Sequence, residues 1–427
     1  MTDATDTTPA SAAPASSLGP LTSSERIDVL DVLRGFALLG ILLMNIEYFT
    51  RPMQGIAMGL DPTLTGWDFT AGWSIMAFVQ GKFWTLFSML FGMGFAVMLE
   101  RIEARGGRFF GIYTRRLGVL LLIGLVHAFL IWSGDILVSY ALTGFLLLLL
   151  FRRTPVQRLW KWGVALYLIP LLMMWTFAGA ISLARVASPA EEVAKMDAEF
   201  ATAAAEHAAR YEKAEQVYSG GSYVDAVLQR VIDVTEQLGF IWMFMLMLLG
   251  VFLLGAWLLR SGRVRDPVAH RSFFLKCVVI AGPVGVGLVL LAMRGMQGIN
   301  FMVPTIDVAA TMSLMQIGSL LLCLAYLGAV TLLTIGPMPW LREWLGPTGR
   351  MALTNYLMQS VVFTLLFYSY GLGLWGQVSR AWQVPLVLGF WLLQVLASRW
   401  WLSRFRFGPA EWLWRSLTYG KAQPMRR

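Results

Sequence analysis

The sequence predicts an all-α polytopic membrane protein of about ten transmembrane helices, and three observations predict it. Hydrophobic residues make up 57% of the chain and charged residues only 14%, with a mean hydropathy of +0.63. That balance exceeds what a soluble core requires. The apolar residues gather in runs close to the ~20 residues that a bilayer core demands. Lys and Arg fall in short segments between alternate runs, which is how orientation is written in a membrane protein. The net charge of +9 therefore carries no nucleic-acid reading, because the basic residues form no single patch.

Taken in order, residues 1–25 are rich in Ser, Thr, Ala and Pro and read as a disordered tail. They are not a signal peptide: the first apolar run carries Asp31 and Arg34, and no convincing cleavage site follows it. A first membrane section, 26–184, holds five expected spans at 29–49, 75–99, 117–133, 136–151 and 163–184. A second, 238–402, holds five more at 238–259, 275–294, 308–335, 351–370 and 382–402. The second and eighth runs are too long for one upright helix. The second is expected to break around Gln80-Gly81-Lys82, with the preceding AGWSIMAFV in the interface and Lys82 snorkelling outward. Gly92 and Gly94 lie inside an apolar helix, where glycines serve close packing and not phosphate binding. One side of the bilayer carries Arg101, Arg105, Arg108, Arg115 and Arg116, then Arg152, Arg153, Arg158 and Lys161, and later Arg260, Arg263, Arg265, Arg271 and Lys276. Both termini are therefore expected in the cytoplasm.

Between the two sections, residues 185–237 form an acidic extracytoplasmic loop, with ten Asp or Glu against four Lys or Arg between 186 and 237. Pro189 before Glu191 and Glu192 marks a helix start, and Gly220-Gly221 a break. Val224, Val227, Leu228, Val231 and Leu238 share a helical face, so the second piece is expected to lean on the membrane domain or the interface. The first piece is expected to be a solvated lid. The tail 403–427 opens with Pro409 at a helix start and carries Trp412 and Trp414, as an interfacial helix does. Cys277 and Cys323 both lie in apolar runs, so no disulfide framework is expected. No HExxH, GxSxG, Walker or EF-hand pattern occurs, no metal site is expected, and no internal repeat is visible.

The polar residues inside apolar runs are the candidates for chemistry. His127 is the one histidine of three inside such a run, and Asp135 follows Ser133-Gly134 at the start of the next. Two readings stand for each. His127 can be a base or an interhelical hydrogen-bonding group, and Asp135 its partner or a plain helix cap. Eight helical residues rise about 12 Å, so the two meet only if the turn folds back. Asp31 and Arg34 are three apart and can pair. Arg34 can also hold a phosphate arriving from the cytosol. Asn45 and Glu47 lie toward the far end of that span, Glu47 close enough to the interface to be merely solvated. Asn355 and Gln359 share a face, suited to interhelical bonds or a polar cavity.

DVLRGFALLGILLMNI, FWTLFSMLFGMGF, VHAFLIWSGDILVSYAL, GPTGRMALTNYLMQS and GPAEWLWR resemble, in that order, the blocks of the YeiB-like bacterial membrane proteins. These blocks run from about residue 26 to 420. That family, defined by domains of unknown function, distantly resembles transmembrane acyltransferases, including the acyltransferase-3 group and the heparan acetyltransferases. The resemblance implies an acyltransferase-3-like helical bundle in the bacterial inner membrane. It would move an acyl group from cytosolic acyl-CoA to a lipid, glycan or small-molecule acceptor, and a homo-oligomer is compatible with it. Arg34 matches the first-span Arg of the acyltransferase-3 group, but eleven residues on stands Asn45 where that group has His. Heparan acetyltransferases also have Asn after that Arg and keep their catalytic His in the loop beyond. Here 46–75 contains no His, which leaves His127 as the substitute.

The leading expectation is thus acyl transfer. His127 would be the general base, with Asp135 orienting it or the acceptor. Asn45, Asn355 and Gln359 would line the substrate, Arg34 would hold the CoA phosphates, and Asp31 and Glu47 would be structural. The rival expectation is a transporter, exporter or sensor in which His127, Asp135 and Glu47 relay protons or bind a solute. A scaffold whose polar residues only pack helices is the third.

Overall fold

A computed structural model describes residues 27–61, 63–104, 106, 109–296 and 299–427. The 1–25 segment, Arg105 and Arg108 lie outside the described residues. The fold is all-α and polytopic: eight helices are long and apolar enough to cross a membrane, and two shorter apolar helices, Leu137–Phe151 and Ala352–Phe367, complete ten passes among the described residues. Two ends can be distinguished. The basic end carries the start of the first helix and the C-terminal tail, and the loop end carries the long acidic segment.

The first helix, α1 (Asp28–Phe49), runs through the middle of the bundle. α2 (Gly66–Phe78) and α3 (Lys82–Ala104) replace the single long second run. The expected break is there: Gly81 takes a φ of 85°, a conformation open to glycine, and Val79 and Gln80 both donate to the Ile75 carbonyl as α2 ends. α4 (Phe109–Val126) and α5 (Leu137–Leu146) each finish in a π-helical turn, His127–Ile131 and Leu147–Phe151. α6 (Val156–Ala187) continues past the expected end of its span. α7 (Ala190–Gly220) and α8 (Tyr223–Leu238) form the acidic loop, begun and broken where Pro189 and Gly220-Gly221 indicate. α9 (Ile241–Arg260) returns through the core. α10 (Arg271–Lys276), a π-turn and α11 (Gly282–Gly295) form one pass, and α12 (Ile306–Ile335) another, continuous over 30 residues. α13 (Leu341–Arg350), α14 (Ala352–Phe367), α15 (Arg380–Arg404) and α16 (Pro409–Tyr419) end the chain.

α1, α3, α9 and α12 are the buried helices, and α4, α6, α10–α11 and α15 surround them. Lipid offers Leu and Val no reason to leave it, so close backbone contact has to hold such helices together. α3 and α9 show it: a Cβ on Gly92 would run into the Phe252 carbonyl, and one on Gly255 into that of Met89. α13 lies along the first half of α1 in the same way, with Gly349 against the Asp31 carbonyl and Gly35 against that of Leu345. This places the start of α14 well along α1, with Gln359 reaching the Leu38 carbonyl at 3.4 Å.

Candidate functional site

The site begins where α4 stops being an α-helix. From His127 the backbone widens into the π-turn, closed by Trp132 N–H donating to the His127 carbonyl at 2.8 Å. Such single turns accommodate one extra residue and cluster at functional sites. Trp132 is extended and fully buried: its ring packs on Phe49, with centroids 4.3 Å apart, and its Nε1 donates to the Tyr48 carbonyl at 3.3 Å. Gly134 passes over that ring so closely that a Cβ would collide with it. The chain therefore doubles back, and α5 starts beside the end of α4.

This geometry resolves the spacing question for His127 and Asp135. Their side chains meet, Nδ1 to Oδ1 at 2.7 Å, with 0% and 2% of their surface exposed. Asp135 Oδ2 accepts from Val138 N–H at 2.7 Å, so the carboxylate is both partner and cap. With both oxygens accepting, the neutral imidazole is assigned its proton on Nδ1 and its lone pair on Nε2. Nε2 is buried and makes no hydrogen bond. The Tyr356 ring of α14 stands 5.1 Å from the imidazole, centroid to centroid. Its hydroxyl lies beside Asp135 and against the Ile136 N–H. The imidazole and the Tyr356 ring are thus neighbours, with the hydroxyl on the Asp135 side and Nε2 buried and unengaged.

The sequence is 36% identical to the uncharacterized protein YxaH of Bacillus subtilis (strain 168) over 96% of this chain and 98% of that one. It is 33% identical to the uncharacterized protein YeiB of Escherichia coli (strain K12) over 94% and 98%. The chain belongs to the YeiB-like family. A family model described as a protein of unknown function (DUF418) matches residues 258–421. An uncharacterized 39.9 kDa protein from the amylase 3' region of Bacillus acidopullulyticus is 26% identical over 96% of this chain and 98% of its own. No solved structure matches. The matched family segment includes Tyr356, whereas His127 and Asp135 precede it.

In this YeiB-like chain the other expected site residues are distributed along the bundle. Arg34 Nη1 pairs with Asp31 Oδ1 at 2.8 Å at the basic end. It lies beside Gly94 and close enough to Arg116 for the two charges to repel. Arg116 and His127 are eleven residues apart on α4, about 16 Å along the axis, so Arg34 and the His127–Asp135 pair are not in contact. Asn45 is buried on α1, with no hydrogen bond to the pair. Asn355 donates to the Thr348 carbonyl at 3.1 Å and to Ser398 Oγ at 3.0 Å. Gln359 donates to Gln394 Oε1 at 2.8 Å, while its own Oε1 is buried without a partner. These two line a polar seam between α14 and α15, one turn from Tyr356.

Three expectations are corrected. Glu47 is not merely solvated: it pairs with Arg51 and, at 2.8 Å, with Arg380, and is only 12% exposed. Lys82 does not snorkel outward. It is fully buried, and its Nζ donates to the Met76 carbonyl at the end of α2 at 3.0 Å. α8 does lean on the membrane domain, but with its polar face. Gln229, Arg230 and Asp233 are buried, while Val224, Leu228 and Val231 are exposed. The apolar stripe seen in the sequence faces outward.

Asp233 is the buried carboxylate beside the site that sequence reasoning missed. Its Oδ1 accepts from Gln54 Nε2 at 3.0 Å and Gln229 Nε2 at 2.9 Å, and its Oδ2 from Ser133 Oγ at 3.0 Å and the Tyr218 hydroxyl at 2.5 Å. Burial, reinforced by this carboxylate, raises the Tyr218 hydroxyl well above its ordinary pKa and keeps it a donor. The available signal was the i, i+4 spacing of Gln229 and Asp233 on the polar face of α8; the remaining three partners are distant in sequence.

Proposed function

We propose that this YeiB-like protein is an inner-membrane acyltransferase that uses cytosolic acyl-CoA and a hydroxyl- or amine-bearing acceptor on a lipid, glycan or small molecule. The observation that carries the reading is the buried His127–Asp135 pair with Nε2 unengaged. A neutral imidazole held by a carboxylate on one nitrogen and open on the other is the arrangement a general base requires. The acceptor proton passes to Nε2 as its oxygen or nitrogen attacks the thioester carbonyl. The carbon–sulfur bond then breaks, and the imidazolium returns the proton to the departing CoA thiolate. By the distribution of Lys and Arg, the basic end with both termini faces the cytoplasm and α7–α8 the opposite side. The Arg34 guanidinium, toward the cytoplasmic end of α1, is suited to the CoA phosphates, and the flexible arm of CoA would span the distance to His127.

The test is thiol release and acylated-product detection with purified protein in nanodiscs, supplied with acetyl-CoA or longer acyl-CoAs and a membrane extract as acceptor. His127→Gln keeps a hydrogen-bonding side chain but no base, and turnover should fall about 10²–10⁴-fold with folding intact. Absence of thiol release from the wild type with every donor would overturn the reading. So would pH-gradient-driven solute flux without a covalent product, which marks the transporter instead.

A further inference from the structure

We infer that Asp233 is a positioning residue for the His127–Asp135 pair, and that α8 is the clamp that keeps the turn between them folded back. The inference rests on the proposed role of His127 as base and adds what sets its geometry. The turn has two weak points. One is the π-turn, whose last carbonyls lack the regular helical partner. The other is Ser133-Gly134, which has no regular structure.

α8 holds both. At the first, Arg230 Nη1 donates to the Leu130 carbonyl at 3.0 Å, and the Tyr223 hydroxyl donates to the same oxygen at 2.8 Å. At the second, Asp233 Oδ2 accepts from Ser133 Oγ, and Gln237 Nε2 donates to the Ser133 carbonyl at 3.3 Å. Ser133 stands two residues before Asp135, so a shift of the serine carries the carboxylate away from Nδ1. The clamp is itself anchored. Arg230 Nη2 donates to the Tyr370 hydroxyl at 2.7 Å amid the rings of Tyr223, Tyr368 and Tyr370, while Asp233 ties in Gln54 from the α1–α2 connection and Tyr218 from α7. Beside the Trp132 anchor on α1, these bonds from α8 are what oppose opening of the turn toward the loop end.

The role is geometric and not one of charge, and two substitutions separate these. In Asp233→Asn, Oδ1 still accepts from Gln54 and Gln229, and the new amide donates to Ser133 Oγ and the Tyr218 oxygen, both of which can accept. Asp233→Ala removes all four bonds. The readout is the ring-nitrogen NMR of isotope-labelled histidine in nanodiscs. The chain has only three histidines, and His127→Gln assigns the one of interest.

Wild type should show the Nδ1–H tautomer. Asp233→Ala should lose that signature at His127 while His207 and His270 are unmoved, and should lower kcat for thiol release from acetyl-CoA by about 10–100-fold with KM little changed. Asp233→Asn should recover both. Ser133→Ala should move His127 in the same direction by less, and it decides the matter if Asp233→Ala does not fold. An unaltered His127 tautomer in Asp233→Ala or Ser133→Ala overturns the inference. So does an Asp233→Asn variant as impaired as Asp233→Ala, which would make the charge the active feature. The NMR arm needs no turnover, so a wild type without thiol release defeats the proposed function and leaves the clamp to be judged on the spectrum.

Discussion

α8 and α16 sit at opposite ends of the molecule and do comparable things by different means. Each is a short helix outside the spans that inserts one buried carboxylate into the membrane domain. Asp233 of α8 is met only by side chains, drawn from four separate segments, and it holds a turn. Glu411 of α16 is met by the backbone N–H groups of Leu353 and Thr354, at 2.7 and 3.0 Å, and by Thr354 Oγ1 at 2.5 Å, and it holds the first turn of α14. The residue at the N-cap position there, Met351, makes no side-chain cap, so Glu411 supplies from another helix what a cap usually supplies locally. The two ends teach that a helix start and a reversing turn are different fixing problems. The first needs one acceptor for known donors, and the second needs several donors converging on one acid.

The comparison breaks most visibly at Glu411. Glu411→Ala leaves two buried N–H groups unpaired at the start of α14. The expected loss is on the order of 3 kcal/mol of stability, read by chemical unfolding in nanodiscs, with the His127 tautomer retained. Gly349→Ala should cost less, about 1–3 kcal/mol, because the added methyl presses on the Asp31 carbonyl, backbone against backbone, and α13 must move off α1. Melting temperature checks it. The smallest effect sharpens the contrast. Burial raises the Glu411 carboxyl above its ordinary value, against the pull of its hydrogen bonds. A carboxyl whose folded pKa exceeds its unfolded value binds its proton more tightly when folded. Its contribution is therefore fully present below the unfolded value and is lost as pH rises through the folded one. Glu411→Gln should flatten that part of the stability–pH curve, measured by thermal melts across the acidic range.

The helical class, the ten passes, the break at Gly81 and the two loop helices were legible in the sequence because each depends on local pattern: apolar length, a glycine conformation, Pro189 and Gly220-Gly221. Asp31–Arg34 was legible for the same reason, being three residues apart on one helix. His127 and Asp135 were visible as candidates, and as a pair only on condition that the turn folds back; that condition is met by a π-turn, a buried Trp132 and bonds from α8, about a hundred residues away. Lys82 and Glu47 were misplaced because a charge near a helix end looks ready for solvent, and only tertiary packing reveals the α2 carbonyl or the Arg380 fork that takes it in. The stripe on α8 was seen correctly; of its two expected seats, the membrane domain is taken by the opposite, polar face, which leaves the stripe for the interface. In water the apolar face goes inward, but beside a bilayer either face has a suitable solvent.

That reversal has a mechanical consequence. A helix that turns Gln229, Arg230 and Asp233 inward and shows Val224, Leu228, Val231 and Leu238 outward presents an apolar back suited to the membrane interface. The grip of α8 on the turn then depends on the host phase as well as on its own bonds. A short-chain detergent and a bilayer nanodisc would present two differently tensioned versions of the same protein.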